Sequence, residues 1–291
     1  MRRYPALDIR WIVRPDDDHI ERLLAEIDQE APTAVEDRPS GVRVFFPSSA
    51  ARGRAVVHLI AVDPSIECRP VEVSDGRWAE RSQASLGPVH LGRLVIAPPW
   101  TPPDDLARLA ALVITIQPSM GFGTGHHAST RLCLRLLQQV SVTGASVLDV
   151  GTGSGVLALG AWRLGAARVV AVDRDPDALH AAHDSVARNG ASAAVTVRAL
   201  DLADGAGTVA NGPFDLLLAN LTAGSLVRDA ATLDQWVNRP GHAIVGGILV
   251  AEEAAVVTAF EARGWSVRAR EREDEWVGVL FATTPTPSTA P

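Results

Sequence analysis

The sequence predicts an α/β protein in two parts, a small α+β domain of ferredoxin-like element order followed by a larger domain on a mostly parallel seven-stranded sheet. Three observations carry this. From Gln117 onward, β-rich apolar runs alternate with alanine-rich helical runs, the pattern of a parallel sheet buried between helices. The first part reads strand, helix, two strands, helix, strand. Between the two, the stretch from Trp78 to Pro103 holds five prolines and the aromatic anchors Trp78 and Trp100, as a connector would.

In the first part, YPALDIRWIVR alternates as a strand, and Pro15 followed by three aspartates opens a helix running to about Gln29. TAVED and GVRVFFP form a strand pair around the turn RPSG. AARGRAVVHLIAV is helical or irregular, and RPVEVS is a short strand. The boundaries expected are 1–76 for this domain, 77–116 for the linker, 117–283 for the larger domain and 284–291 for a disordered tail, TPTPSTAP being polar and proline-rich. In the larger domain, strands are expected at SVLDVG, RVVAVD, AVTVRAL, FDLLLAN, HAIVGGIL, WSVRARE and EWVGVLFA. The last two leave no room for a helical crossover and should pair as an antiparallel hairpin.

Composition narrows the function classes. The 291 residues are 47% hydrophobic with a net charge of −7, which divides as −3 over 1–116 and −4 over 117–291. Neither part is therefore a basic nucleic-acid platform, and an acidic surface suits a basic partner. All 27 basic residues are arginine, in keeping with a GC-rich genome. No stretch has the roughly 18 uninterrupted apolar residues of a membrane span, and the N-terminus lacks a signal-peptide core, so a soluble, cytoplasmic protein is expected. Cys68 and Cys133 have no CxxC spacing and read as two buried free thiols.

The chemistry centres on VLDVGTGSG. A buried strand ends at Asp149 and Val150, and Gly151, Gly153 and Gly155 then turn the chain into a helix, bringing backbone N–H groups close to a ligand. A dinucleotide-binding GxGxxG would place its third glycine one residue later, where Val156 stands, so the spacing argues against NAD. The next strand ends at Asp173, 18 residues beyond Gly155, where a carboxylate can accept both hydroxyls of a ribose. Asp175, just before Pro176, is the better placed to cap the following helix. FDLLLAN brings Asn220 to the same sheet edge. Position alone leaves Asn220 either facing a reaction centre or turning and capping the chain before LTAGSL.

Upstream, QPSMGFGTGHHAST has Gly121, Gly123 and Gly125 before a helix starting near Ser129. Neighbouring His126 and His127 point apart and have no acidic partner nearby, so no metal is expected. His180 and His183 share a helix face and read as solvated surface.

These motifs together resemble the ribosomal protein L11 methyltransferase family. FGTGHHASTRLCLRLL, VLDVGTGSGVLALGAWRLGAARVVAVDRDP, ARNG and LLLANLTAGSL follow that family's order, as do GGILVAEEAAVV, EREDEWV and the connector. The resemblance implies the Rossmann-like fold of class I S-adenosylmethionine-dependent methyltransferases, with S-adenosylmethionine as cofactor and ribosomal protein L11 as partner. It also implies N-methylation of lysine or α-amino groups and a substrate-recognition role for the N-terminal domain. The family's cofactor contacts fall on Thr130, Gly151, Asp173 and Asn220, with Gly153 and Gly155 in the same loop. Asn220 would also position the amine, with no dedicated base. A monomer with no direct nucleic-acid contact is expected. Gln117, Ser119 and Gly87 depart from the family pattern around the mouth of the site, which keeps another protein or a small amine as alternative substrates; a non-catalytic cofactor-binding module is a further alternative. Thr152 stands where the family commonly has cysteine, a change expected to be harmless because backbone does the binding.

Overall fold

The computed structural model describes residues 3–11, 17–27, 30, 32–38, 41–74, 87–107, 111–118, 125–202 and 212–283. The chain divides into two compact units, Met1–Ser85 and Leu86–Pro291.

In the first unit, strands β1 (Arg3–Arg10), β2 (Ala34–Arg38), β3 (Gly41–Phe45) and β4 (Glu67–Ser74) form one sheet in the order β2-β3-β1-β4. Every neighbouring pair is antiparallel. With helices at Asp17–Glu26 and Ser49–Val62, this is the predicted ferredoxin-like arrangement. Period-two alternation sends Leu7, Ile9, Val42 and Val44 to one face, where they join Ile20, Leu23, Ile27, Ala55 and Leu59 in a buried core. The segment read as helical or irregular is a helix, because Ser48 Oγ accepts from Ala51 N at 3.2 Å and caps it. Gly41 allows β3 to close on β1, since a Cβ there would lie 1.9 Å from the Ile9 carbonyl oxygen.

In the second unit, β8 (Ser146–Val150), β9 (Arg168–Asp173), β10 (Val195–Ala199), β11 (Phe214–Asn220), β12 (Val237–Leu249), β13 (Trp265–Glu273) and β14 (Trp276–Thr283) make the seven-stranded sheet. Their order is β10-β9-β8-β11-β12-β14-β13. The pairs from β10 to β12 are parallel, and β14 pairs antiparallel with both β12 and β13. The expected terminal hairpin is therefore present. Because the chain runs from β8 to β9 on one side and returns to β11 on the other, the crevice at the carboxyl ends of β8 and β11 is the switch point where such sheets bind ligands.

The stretch expected as a linker contributes structure to this unit. β5 (Val89–Leu91), β6 (Leu94–Ala97) and β7 (Leu112–Thr115) form a second, three-stranded sheet. Leu91, Leu94, Ile96, Ile114 and Ile116 lie in the same buried cluster as Val147 and Leu157 of the larger fold. The short apolar runs among the prolines form strands because they have a core to enter. Trp78, and the expected disordered tail 284–291, lie outside the described residues.

Candidate functional site

The glycine loop is held by its own backbone. Gly151, Gly153 and Gly155 have φ of 69°, 55° and 82°, a left-handed conformation that residues with a Cβ adopt at a cost. Gly151 N and Thr152 N donate to the Val172 carbonyl at 2.9 and 3.0 Å, fastening the turn to the end of β9. Helix Val156–Arg163 starts at once behind it. Gly153 N donates to Asp173 Oδ2 at 2.9 Å, and Asp175 N donates to Asp173 Oδ1 at 3.0 Å. Each carboxylate oxygen retains acceptor capacity for a hydroxyl. Asp175 Oδ1 accepts from Asp177 N at 2.9 Å and caps the helix that begins at Pro176, the capping role expected for it.

Asp149 was not among the expected site residues, although an acid inside the apolar run VLDV was a signal. It is fully buried. Its Oδ2 accepts from Thr152 Oγ1 at 2.6 Å and from Ala158 N at 3.1 Å, while its Oδ1 has no partner among the described residues. Burial pushes the carboxyl up to about 7; the Thr152 and Ala158 donors oppose the rise, and the nearby charge of Asp173 adds to it. Thr152 is thus more than a backbone contributor.

Asn220 ends β11. The capping role left open for it belongs to Thr222, whose Oγ1 accepts from Ser225 N at 3.4 Å at the start of helix Ala223–Gln235. Asn220 Nδ2 donates to Thr130 Oγ1 at 3.4 Å, and its Oδ1 is buried with no partner among the described residues. Thr130 is buried in the first turn of helix Ala128–Leu137, which His127 caps by accepting from Ser129 N at 3.3 Å. Gly121 and Gly123 lie outside the described residues; Gly125 has a φ of 83°.

The corner around Asn220 depends on a glycine pair that sequence reading took only as part of a strand. A Cβ on Gly246 would sit 2.4 Å from Cys133 Sγ and 3.1 Å from Asn220 Oδ1. Gly247 has a φ of 74°, and a Cβ there would sit 2.5 Å from the Leu221 carbonyl oxygen. The carboxamide is therefore enclosed by backbone that no other residue type would leave in place. Leu221 also ties this corner to the loop, because a Cβ on Gly151 would lie 2.4 Å from Leu221 Cδ2.

The structure thus gathers Thr130, Gly151, Gly153, Gly155, Asp173 and Asn220 around the carboxyl ends of β8, β9 and β11. Two buried oxygens there, Asp149 Oδ1 and Asn220 Oδ1, have no donor among the described residues, and the glycines leave backbone open. Such a cradle fits a ligand carrying both hydroxyl and ammonium donors. His180 and His183 are exposed, His180 lying 3.5 Å from Asp184. Among the described residues, no group of three or more His, Cys, Asp or Glu is placed to hold a metal ion. Cys133 is buried and Cys68 half-buried, and both are unbonded.

Comparison with known proteins adds the lineage. The family described as ribosomal protein L11 methyltransferase matches residues 17–284. A ribosomal protein L11 methyltransferase of Geobacter metallireducens is 42% identical over 210 residues, 70% of this chain and 65% of its own length. The alignment thus takes in just under two thirds of that relative. One from Symbiobacterium thermophilum is 40% identical over 222 residues, 76% of this chain and 69% of its own. Among solved structures, a ribosomal protein L11 methylase from Lactobacillus delbrueckii subsp. bulgaricus superposes with a TM-score of 0.59 at 27% identity, over 68% of this chain and all of that one.

Proposed function

The chain belongs to the ribosomal protein L11 methyltransferase family, and from that premise we propose that it uses S-adenosylmethionine to methylate amino groups of ribosomal protein L11. The observation that carries the reading is the half-buried Asn220 carboxamide, tethered to Thr130 through Nδ2, with its buried Oδ1 bare among the described residues. A free amine has an N–H to give such an oxygen.

S-adenosylmethionine supplies an electrophilic methyl carbon on a sulfonium, so that a nitrogen–carbon bond forms as the carbon–sulfur bond breaks and its electron pair returns to sulfur. The leaving group becomes neutral, which removes any need for an oxyanion hole and leaves alignment as the main source of catalysis. Asp173 would accept the ribose hydroxyls, the glycine loop would set its backbone against the cofactor, and Thr130 would hold its methionine end. Asn220 Oδ1 orients the amine. A lysine amine must first lose its proton, which costs about 4–5 kcal/mol at pH 7, and an α-amine only about 1 kcal/mol. The proton leaves before or during docking, and an apolar surround lowers the cost.

The N-terminal unit docks the protein substrate, and the net charge of −7 suits a basic ribosomal protein. No helix among the described residues is long and apolar enough to cross a membrane; action in the cytoplasm, as a monomer and without direct contact to nucleic acid, belongs to the same proposal. Incubation with methyl-labelled cofactor, L11 and a cell extract tests it. Label in L11 amines is expected, and label in other species but not in L11 overturns it. Asn220→Ala should lower kcat about 100-fold at saturating cofactor, and unchanged turnover would remove Asn220 from its role.

A further inference from the structure

Thr130 sits at the N-terminus of a helix, and what holds that helix lies about 140 residues away in the chain. Arg131, immediately beside Thr130, pairs with Glu273: its Nε donates to Glu273 Oε1 at 2.9 Å, and a second guanidinium nitrogen reaches the same carboxylate. The guanidinium also donates to the His126 carbonyl just ahead of the helix. Arg135 reaches Glu273 Oε2 at 2.9 Å, and Gln139 Nε2 donates to Glu271 Oε1 at 2.8 Å. Arg131, Arg135 and Gln139 recur every four residues and so share one side of the helix and its final turn. Glu273 and Glu271 recur every two and share one face of β13. The helix is thus laid along the strand by its polar side. Trp276, the first residue of β14, adds an edge-on contact to the capping His127, with ring centroids 4.7 Å apart. Between them Asp274 turns the chain at a φ of 52°. The Arg131–Glu273 side chains are only about a fifth exposed, so solvent screens them less than a surface pair.

We propose that Glu273 is a positioning residue for the cofactor corner: through Arg131 and Arg135 it fixes the first turn of helix Ala128–Leu137, and so the Thr130 hydroxyl that holds Asn220. The proposal rests on the reading of that corner as a cofactor site. Glu273 itself touches neither cofactor nor substrate. Neutralising it leaves the helix formed, since Leu132, Leu134, Leu136 and Leu137 remain buried, but lets the first turn shift.

The test is binding of S-adenosylhomocysteine by calorimetry to the full chain and to Glu273→Gln, Glu273→Asp, Thr130→Ala and the Thr130→Ala/Glu273→Gln double variant. Glu273→Gln should weaken binding about fivefold and lower kcat by far less than Asn220→Ala does, with the KM for the protein substrate within about twofold. Glu273→Asp should recover part of the loss, and the double variant should bind no more weakly than Thr130→Ala alone. An altered affinity in Thr130→Ala with an unaltered one in Glu273→Gln overturns the proposal and leaves the cofactor reading standing, as do fully additive effects in the double variant. An unaltered affinity in Thr130→Ala overturns both. Should Glu273→Gln fail to fold, Arg131→Lys, which keeps the charge but loses the forked geometry, is read by the same criteria.

Discussion

The two halves of the site are built by opposite means. The loop Gly151–Gly155 is compact: five consecutive residues make the turn, anchored to Val172 and Asp173 at the end of the next strand, and what they offer is backbone. The corner of Thr130, Asn220, Gly246 and Gly247 is assembled from three distant segments, and what it offers is a carboxamide in an enclosure. The same residue type serves both differently. At Gly155 in the loop, glycine is required by conformation alone, since a Cβ there would meet Ala182 Cα at an ordinary 3.5 Å. In the corner it is required by space as well, since Gly247 combines a φ of 74° with a backbone oxygen 2.5 Å from the would-be Cβ. Gly155 can therefore absorb an added methyl group at the cost of conformation only, and Gly247 cannot.

The sharpest way to break this contrast is to add one methyl group to each half. Gly247→Ala must both strain the backbone and displace the Leu221 peptide, and should cost roughly 3 kcal/mol or more. That lowers Tm by about 6 °C or more and abolishes measurable S-adenosylhomocysteine binding. Gly155→Ala bears only the conformational part, about 1–2 kcal/mol. Equal losses in thermal melts of the two variants would show that the corner is no less tolerant than the loop.

Asp173 belongs to the loop by geometry and to the ligand by proposal, so it separates holding the turn from holding the cofactor. Asp173→Ala removes the acceptor for Gly153 N and for the ribose hydroxyls, and should weaken S-adenosylhomocysteine by about 30-fold to 100-fold. Thr130→Ala, which removes one long hydrogen bond to Asn220, should weaken it about fivefold to tenfold. Isothermal titration of the two variants gives the order directly, and a reversed order would place the binding energy in the corner instead.

The halves also differ in how readable they were. The glycine spacing, Asp173 at the end of its strand and Asp175 before Pro176 are all stated by residues within a few positions of one another. Seven strands of the large sheet could be read for the same reason, apolar β-rich runs being separated by helical ones. The corner could not be read. By position Asn220 is ambiguous, and only the Thr222 cap on the following helix resolves it; Gly246 and Gly247 read as two glycines inside a strand; the need for Gly246 arises from Cys133, over a hundred residues away, and that for Gly247 from its φ and the Leu221 carbonyl. β5 to β7 were hidden for a related reason, because short strands among prolines are recognisable only once the core they enter is known.

Asp149 lies beneath the loop and makes the contrast titratable. Its carboxyl is raised from the usual 3.8 to about 7, so the fold holds a proton that the unfolded chain has released. An acid shifted in this direction favours the fold fully only below the unfolded value, and that contribution is lost as pH rises from about 4 through about 7. Asp149→Asn removes the loss, and should melt higher than the parent at pH 8 by up to about 4 kcal/mol of stability, with little gain at pH 4. Parallel pH profiles of Tm for the two proteins would exclude a protonated buried Asp149.

Thr152 gives the smallest and most discriminating effect, because the loop's backbone alone predicts none. Its hydroxyl donates to Asp149 Oδ2 at 2.6 Å and favours the ionised carboxylate. Thr152→Val keeps the volume and the turn but withdraws that donor. The carboxyl then rises above its already elevated value, and the loss of stability with pH extends further into the alkaline range. At pH 8 the variant should be less stable than the parent by about 1 kcal/mol. At pH 5, where the folded parent already holds the proton, the difference should shrink, because a protonated carboxyl can find its acceptor elsewhere and needs the donor less. Thr152→Ser, which retains the hydroxyl, should follow the parent profile at both values. If Val and Ser variants share one profile, the loop is backbone alone, and the coupling of its second residue to the buried acid carries no weight.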